Sequence, residues 1–241
     1  MSDPVAWLLA AGILLFGCWL QTALGFGMAV VATPIIVSIR PQWVPVVLSI
    51  TALQLCLINT WNQRQYCDFK DMMTPVLTRI PGTLLGLWLL LRMETRSLQI
   101  LVALCVLFAV LVSTSTAQFR TTPFRLGLAG FFSGLMGTST SIGGPPMALV
   151  MQHGDPRVVR ANLSLYFTYG CLISLAGYSL SGLLNRQLVL ISLSFLPISL
   201  LGFYTGIRAR RFIDKKRFRV LLLVLCILSA VVALTTALLR Y

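Results

Sequence analysis

Eight long apolar runs occupy most of the chain, and most are close to the length that crosses a lipid bilayer. They cover residues 5–24 (with an extension to 39), 42–61, 72–92, 97–115, 124–151 (interrupted), 158–182, 187–206 and 217–239. About 20 consecutive apolar residues cross the hydrocarbon core as a helix. The sequence therefore predicts an all-α polytopic membrane protein of about eight hydrophobic helical segments, with no room for a sizeable soluble domain.

The basic residues fit this interpretation better than they fit nucleic-acid binding. The chain is 57% hydrophobic and only 10% charged, yet its net charge is +13. Its Lys and Arg residues lie mostly at the ends of apolar runs, where they fix topology and meet anionic lipid headgroups. Seven of them lie within 208–219, which predicts a cytoplasmic loop between two spans. Membrane lipid, and no nucleic acid, is thus the expected partner of this charge.

The second half of the chain repeats the first. At a shift of 115, residues 41–58 lie over 156–173 with seven of eighteen positions identical. At a shift of 116, PGTLLGLWLLLR (81–92) lies over PISLLGFYTGIR (197–208), sharing Pro, Leu-Leu-Gly and the final Arg. These matches predict two duplicated membrane repeats, 1–118 and 119–241, within one integral membrane domain. Duplicated halves are typical of secondary transporters, whose substrate site lies where the repeats meet.

Each half contains one stretch that disfavours a continuous helix. In the second half, SGLMGTSTSIGGPP (133–146) has eleven Gly, Ser, Thr or Pro residues among fourteen, between apolar flanks. In the first half, QTALGFG (21–27) is followed by Thr33-Pro34. Non-helical backbone at membrane depth is tolerated only where protein buries it or where it lines a wet cavity. We therefore expect one interrupted or re-entrant helix in each half.

Two topologies follow from these interruptions. If each interrupted element crosses the membrane fully, the halves are parallel copies and the basic residues divide 12 to 7 between the two sides. If each dips in and returns, the halves are inverted copies and the division is 14 to 5. The second division obeys the positive-inside rule better. It favours inverted repeats, with both termini periplasmic, although 5–24 is long enough to cross alone.

The two interruptions supply the chemistry of an anion site. Their glycines allow close approach to a ligand, and helices that begin near Pro34 or Pro146 would point N–H groups and a positive dipole end at it. Side-chain hydroxyl and amide groups add further donors. The predicted substrate-binding residues are Gln21, Thr22, Gly25, Phe26, Gly27, Thr33, Pro34, Gly137, Thr138, Ser139, Thr140, Ser141, Gly143, Gly144, Pro145 and Pro146. The alternative is a helix–helix packing motif of small residues.

Five polar residues in or near the second span of each half are second-rank candidates for lining the site. They are Gln54, Asn59, Asn162, Tyr166 and Tyr169, and interhelical hydrogen bonding is the alternative role for each. Arg79, Arg92 and Arg208 lie towards span ends, where we expect them to extend to the headgroups. Because Arg92 aligns with Arg208 between the two repeats, the alternative is that both line an anion path.

The acidic residues argue against a cation or metal site. All six, Asp3, Asp68, Asp71, Glu94, Asp155 and Asp214, fall in loops or at span ends. An intramembrane carboxylate is the usual proton or cation relay, and none is expected here. The cysteines show no CxxC spacing and fit packing roles. We predict no metal, no cofactor and no catalytic residue, because an enzyme would need a nucleophile with a base or a set of metal ligands.

At these residues the chain resembles the sulfite exporter TauE/SafE family of bacterial membrane permeases. The resemblance rests on Gly25-Phe-Gly27 with Thr33-Pro34, and on Gly134-Leu-Met-Gly137 with Gly143-Gly-Pro-Pro146. It implies a secondary carrier in the bacterial inner membrane for small anions such as sulfite, sulfoacetate or other sulfonates. The second family motif often reads Gly-Ile-Gly-Gly-Gly, whereas this chain has Thr-Ser-Thr-Ser before Ile-Gly-Gly, which leaves the anion open.

The main alternative to a carrier is a passive anion channel. A channel would use oriented backbone dipoles too, but should show a ring of Lys or Arg along the pore. The sequence leaves open the coupling ion, the direction of transport and the choice between monomer and homodimer.

Overall fold

The fold consists of helices that are joined by short turns. A computed structural model describes residues 4–114, 122–151 and 154–210, and within those ranges it holds ten α-helices, two short 3₁₀ turns and no strand. The helices are α1 Pro4–Leu24, α2 Met28–Ile39, α3 Val46–Asn62, α4 Phe69–Arg92, α5 Thr95–Thr114, α6 Pro123–Thr140, α7 Gly144–Met151, α8 Pro156–Leu180, α9 Arg186–Ser194 and α10 Leu196–Ala209. The predicted last span at 217–239, most of the basic loop 208–219 and the repeat boundary at 118/119 lie outside the described residues.

Four helical stretches are long and apolar enough to cross a membrane. They are Pro4–Leu24, Phe69–Arg92, Pro156–Leu180 and Arg186–Ala209, the last combining α9 and α10. The helices Met28–Ile39 and Val46–Asn62 are apolar but shorter. The all-α class predicted from the sequence is confirmed for the described residues. The predicted run 42–61 is shorter as a helix, because a 3₁₀ turn at Pro41–Trp43 precedes α3.

The molecule has an apolar exterior and a partly polar interior. Large apolar side chains are exposed on the outside, including Leu8, Leu84 and Leu180, whereas Thr51, Ser133 and Thr138 are almost fully buried. Lipid is as apolar as these outer side chains, so their exposure has no hydrophobic cost in a bilayer, and small polar groups inside can pair with one another. This distribution is that of a membrane protein.

Both predicted interruptions are present as breaks between helices. The first break separates α1 from α2 at Gly25, Phe26 and Gly27, and the two glycines have φ angles of +97° and +122°. The second break separates α6 from α7 at 141–143, where Ser141 has a φ of +66°. Side chains disfavour such angles, so two glycines at the first break allow the chain to leave the helix there.

One expected helix start was wrong. Helix α2 begins at Met28, six residues before Pro34, which therefore lies inside the helix. The positive-φ glycines end α1 and allow the new helix to start at once, so the proline does not set the boundary. In contrast, α7 begins at Gly144, and Pro145 and Pro146 lie in its first turn, where a missing N–H is tolerated.

Carboxylates and short polar side chains begin several of the other helices. Asp68 accepts hydrogen bonds from the backbone N–H groups of Lys70 and Asp71 at the start of α4, and Asp155 caps α8 in the same way. Capping satisfies N–H groups that have no partner within the helix. The four acids among the described residues, Asp68, Asp71, Glu94 and Asp155, therefore lie at helix ends, as expected, and not within the helix bundle.

The contacts between helices define their relative directions. Thr60 of α3 contacts Thr168 of α8 at 3.3 Å, and the backbone N–H of Asp68, after α3, donates to Asn162 near the start of α8. Later residues of one helix thus meet earlier residues of the other, and α3 and α8 run antiparallel. By the same reasoning α4 runs parallel to α6, since Gly82 lies against Phe131 and Gly86 against Leu135.

A second parallel pair joins α1 to α10. A Cβ on Gly202 would lie 3.1 Å from the carbonyl oxygen of Leu15, and one on Gly206 would lie 2.8 Å from that of Trp19. Each interrupted helix, α1 or α6, is therefore packed along an uninterrupted helix that belongs to the other predicted half. The residues of both breaks are buried or half-buried in this arrangement.

Candidate functional site

Residues of both breaks line one central cavity. The cavity has about 50 Å³ in which the centres of water-sized molecules fit, which is space for a few waters or one small polyatomic solute. Seven helices and both breaks contribute to its wall. The lining residues are Gln21, Phe26, Gly27, Ala29, Val30, Ser49, Ala52, Arg79, Gly137, Ser141, Ile142, Gly143, Gly144, Phe167, Cys171 and Ser174.

The two breaks touch each other beside this cavity. A Cβ on Gly144 would lie 3.3 Å from the Cβ of Phe26, so the start of α7 packs against the first break. Within the second break, the Ser133 hydroxyl donates a 2.5 Å hydrogen bond to the Gly143 carbonyl. This bond holds the non-helical backbone to α6, which satisfies one polar group that the break would otherwise bury unpaired.

A guanidinium group, that of Arg79 on α4, forms part of the cavity wall. The residue is only 4% exposed. Its Nη1 donates to the Ser133 hydroxyl at 3.0 Å and to the Tyr166 hydroxyl at 3.1 Å, and its Cζ lies 5.1 Å from the centre of the Tyr166 ring. Two helices other than its own therefore fix the position of this cation.

Two glycines make space for this guanidinium. A Cβ on Gly170 of α8 would overlap the guanidinium of Arg79, and one on Gly137 of α6 would lie 2.9 Å from its Nη2. Any larger residue at position 170 would push Arg79 out of its present position. Gly137 lines the cavity as well, so the absence of a side chain there leaves Nη2 close to the open space.

Arg79 has no carboxylate partner within the described residues. Its Nε is buried and makes no hydrogen bond in the structure, and the partners of its Nη1 are the neutral hydroxyl groups of Ser133 and Tyr166. The acids described, such as Asp68 and Asp155, cap helices instead. An unpaired buried charge costs several kcal/mol, so the pocket around Arg79 favours a bound anion.

Two helices begin at the same cavity. Met28 starts α2 and Gly144 starts α7, each directly after a cavity-lining residue. The first N–H groups of a helix have no intrahelical partner and carry the positive end of its dipole. The Gln21 side chain already accepts from the Met28 N–H at 3.3 Å. The dipoles of α2 and α7 and the charge of Arg79 thus all favour negative charge in the cavity.

The end of α1 is held by a second arginine. Nε and Nη2 of Arg210 donate to the Thr22 carbonyl at 3.0 and 2.7 Å, and Nη2 also donates to the Asn59 side chain at 3.3 Å. Burial lowers the pKa of Arg210 to about 10, with the neighbouring Arg160 as a smaller cause. Arg210 therefore satisfies the Thr22 carbonyl in the last turn of α1, just before the first break, and links the end of α10 to it.

The structure brings seven of the predicted site residues to the cavity. These are Gln21, Phe26, Gly27, Gly137, Ser141, Gly143 and Gly144. Gly25 instead packs its backbone against Arg160. Thr22 and Thr33 are buried away from the lining, and the Thr33 hydroxyl has no hydrogen-bond partner in the structure. Pro145 and Pro146 follow Gly144 into α7, and Pro34 lies further along α2.

The hydroxyl groups expected to bind substrate mostly bond within the protein. Thr138 contacts the hydroxyl of Ser174 at 2.9 Å and that of Thr83 at 3.3 Å. Ser139 and Thr140 donate to carbonyl groups one turn earlier in α6. Because these residues form the last turn of α6 and not the break itself, they are absent from the cavity wall, although Ser174 belongs to it.

The second-rank residues act mainly as links between helices. Gln54 donates to the Ser192 carbonyl, and Asn162 accepts from the N–H of Asp68. Asn59 donates to the Thr22 hydroxyl at 3.2 Å. None of the five lines the cavity. Tyr166 bonds to Arg79 just behind the wall, and Tyr169 is 42% exposed.

The sequence analysis missed Arg79. Arg92 and Arg208 are exposed, as expected for side chains that reach towards headgroups, but Arg79 is buried and the expectation was wrong for it. Its position along the chain could have indicated this burial. Helix α4 begins at Phe69, so Arg79 lies near the middle of a 24-residue helix and not at its end. The lining residues Ser49, Phe167, Cys171 and Ser174 had no distinguishing pattern in the sequence.

Comparison with known families gave a match over nearly the whole chain. Residues 9–233, nearly the whole chain, match the family model described as "Sulfite exporter TauE/SafE". No curated protein and no solved structure gave a significant match.

Proposed function

The chain belongs to the sulfite exporter TauE/SafE family and is a multi-pass membrane protein, and on that basis we propose that it is a secondary transporter of a small sulfur-containing anion. Sulfite, sulfoacetate and other sulfonates are the substrates that we propose. The site is the cavity between the two breaks. The observation that supports it best is Arg79, a buried cation without a carboxylate partner in the described residues, next to the starts of two helices.

Each part of the cavity has a distinct role in this proposal. Arg79 supplies the charge that attracts the anion, and its Nη2 lies beside Gly137, which lines the cavity. A sulfonate or sulfite group has three oxygens, which the guanidinium and the N–H groups at Gly143 and Gly144 are suited to bind. Apolar residues such as Val30, Ile142 and Phe167 limit the volume that is left for any organic part.

We further propose that the two halves are inverted repeats with re-entrant hairpins α1–α2 and α6–α7. The antiparallel course of α3 and α8 supports this. These two helices correspond to each other at a shift of 115, and they would run parallel if each interrupted element crossed the membrane fully. The matched parallel pairs α4–α6 and α1–α10 agree with it. If the basic loop 208–219 lies in the cytoplasm of a bacterial inner membrane, this topology puts both termini in the periplasm.

A carrier is favoured over a passive channel by the small size of the cavity and its single lining guanidinium among the described residues. A channel would need a continuous series of basic groups. Counterflow distinguishes the two. Proteoliposomes loaded with unlabelled sulfite should transiently accumulate labelled sulfite above its outside concentration. Simple equilibration without overshoot would indicate a channel, and no uptake above protein-free liposomes would contradict the proposed substrate.

A further inference from the structure

The hydrogen bonds around Arg79 leave its charge without compensation. Ser133 and Tyr166 each carry one hydroxyl hydrogen, and each can donate it to a carbonyl, that of Gly143 or of Gly130. Both oxygens therefore accept from Arg79 as neutral groups. An arginine stays protonated at any physiological pH. The empty site thus carries a full positive charge at all times.

The positive charge of Arg79 is solvated or paired only while the cavity holds water or an anion. In the structure the open space can hold a few waters against the guanidinium. A carrier that alternates its access must close the site from both sides between its two open states. Closure without an anion would leave Arg79 desolvated and unpaired, which costs several kcal/mol. Closure around a singly charged anion leaves a neutral, hydrogen-bonded pair.

Resting on the proposed function, we propose that the protein is an anion exchanger, in which the uncompensated charge of Arg79 blocks the return of the empty site. Each outward movement of one anion is followed by the inward movement of another. Among the proposed substrates this mechanism favours monoanions, such as hydrogen sulfite or an organic sulfonate with no second charged group, over the dianion sulfoacetate, because one charge neutralises one guanidinium. The exchange of two monoanions moves no net charge across the membrane.

The test compares two modes of efflux from proteoliposomes that contain the full chain and radiolabelled sulfite. One external medium contains unlabelled sulfite, and the other contains only gluconate as a large, impermeant anion. We expect efflux into sulfite to be at least about tenfold faster, because several kcal/mol corresponds to more than one factor of ten in rate. Equal rates in the two media would overturn exchange while leaving transport intact. No efflux above that of protein-free liposomes in either medium would instead contradict the proposed function.

Substitutions of Arg79 test whether its charge is the cause. Arg79→Lys retains a positive charge and should keep the high ratio of exchange to net efflux, even at lower rates. Arg79→Gln should lose both exchange and net efflux, or retain a residual flux in which the rates of exchange and net efflux are nearly equal. A high ratio in Arg79→Gln, or a ratio near one in Arg79→Lys, would overturn the assignment to Arg79. Arg92→Gln is the matched control, because Arg92 is exposed on the same helix, stacked over Trp88.

Discussion

Gly144 lies directly against Phe26, so the second break of the chain packs on the first: a Cβ at position 144 would be 3.3 Å from both the Cβ and the Cδ2 of Phe26. Both residues line the cavity. A side chain at position 144 would therefore fill the space between the breaks or move them apart.

This contact predicts that Gly144→Leu abolishes sulfite transport while the protein still inserts in the membrane. The added side chain meets Phe26 and extends into a cavity of about 50 Å³. Efflux from proteoliposomes and the amount of purified monodisperse protein are the two measurements. Gly12→Leu is the control, since a Cβ there meets nothing within 4 Å. Normal efflux by Gly144→Leu would show that the cavity is not part of the transport path.

Tyr166→Phe should weaken substrate binding without preventing folding. The substitution removes the hydroxyl that accepts from Arg79 at 3.1 Å and donates to the Gly130 carbonyl. This bond to a charged group, worth about 1.5–3 kcal/mol, holds the guanidinium at the cavity, so ordering the freed Arg79 on binding should raise the KM for sulfite roughly tenfold or more. Tyr169→Phe, three residues along α8 and 42% exposed, should leave KM unchanged. Equal effects of the two substitutions would argue against a role for Arg79 in binding.

Thr138→Val should reduce transport through Ser174. The Thr138 hydroxyl is 2.9 Å from that of Ser174, which lines the cavity, and valine keeps the shape but not the bond. We expect a loss of efflux smaller than that of Gly144→Leu, and its recovery in Thr138→Ser. If Thr138→Ser proves as impaired as Thr138→Val, the hydrogen bond is not what matters at this position.

The close crossing of α4 and α6 predicts a large effect of one methyl group on stability. A Cβ on Gly86 would lie 2.5 Å from the Leu135 carbonyl oxygen, so Gly86→Ala must force the helices apart. Overpacking of this kind costs about 1–3 kcal/mol and should lower the apparent melting temperature in detergent. Gly12→Ala, with open space around it, should leave the melting temperature unchanged or raise it slightly.

Cysteine labelling tests the proposed topology. In a Cys67→Ser background, we expect Gln42→Cys to react with an impermeant maleimide from the periplasm and Phe124→Cys to react only from the cytoplasm; both positions are exposed. Full crossing by each broken helix would exchange the two sides.

The apolar runs and the two Gly-rich interruptions could be identified from the sequence because each depends on local chemistry. Twenty apolar residues have few options other than a membrane helix, and Gly25 and Gly27 adopt angles that other residues avoid. The helix start expected at Pro34 was wrong because the glycines alone suffice to restart the helix at Met28.

The cavity wall depended on contacts that no local pattern records. Arg79 reaches the site only because α4 packs along α6 and Gly170 of α8 leaves space for its guanidinium. Likewise, Thr138 to Thr140 looked like donors to a ligand but bond within the protein, because α6 continues to Thr140 before it breaks. A difference of one helical turn decides whether a polar side chain lines the cavity or bonds within the protein.

The pairing of α1 with α10 and of α6 with α4 has a consequence for biosynthesis. While the ribosome is still translating the later helices, α1 has inserted without its neighbour α10, whose Gly202 and Gly206 will pack against it. A fragment that stops before residue 122 should therefore be a substrate for membrane proteases when it is expressed alone. Supplying the remainder as a separate polypeptide in the same cell should rescue it.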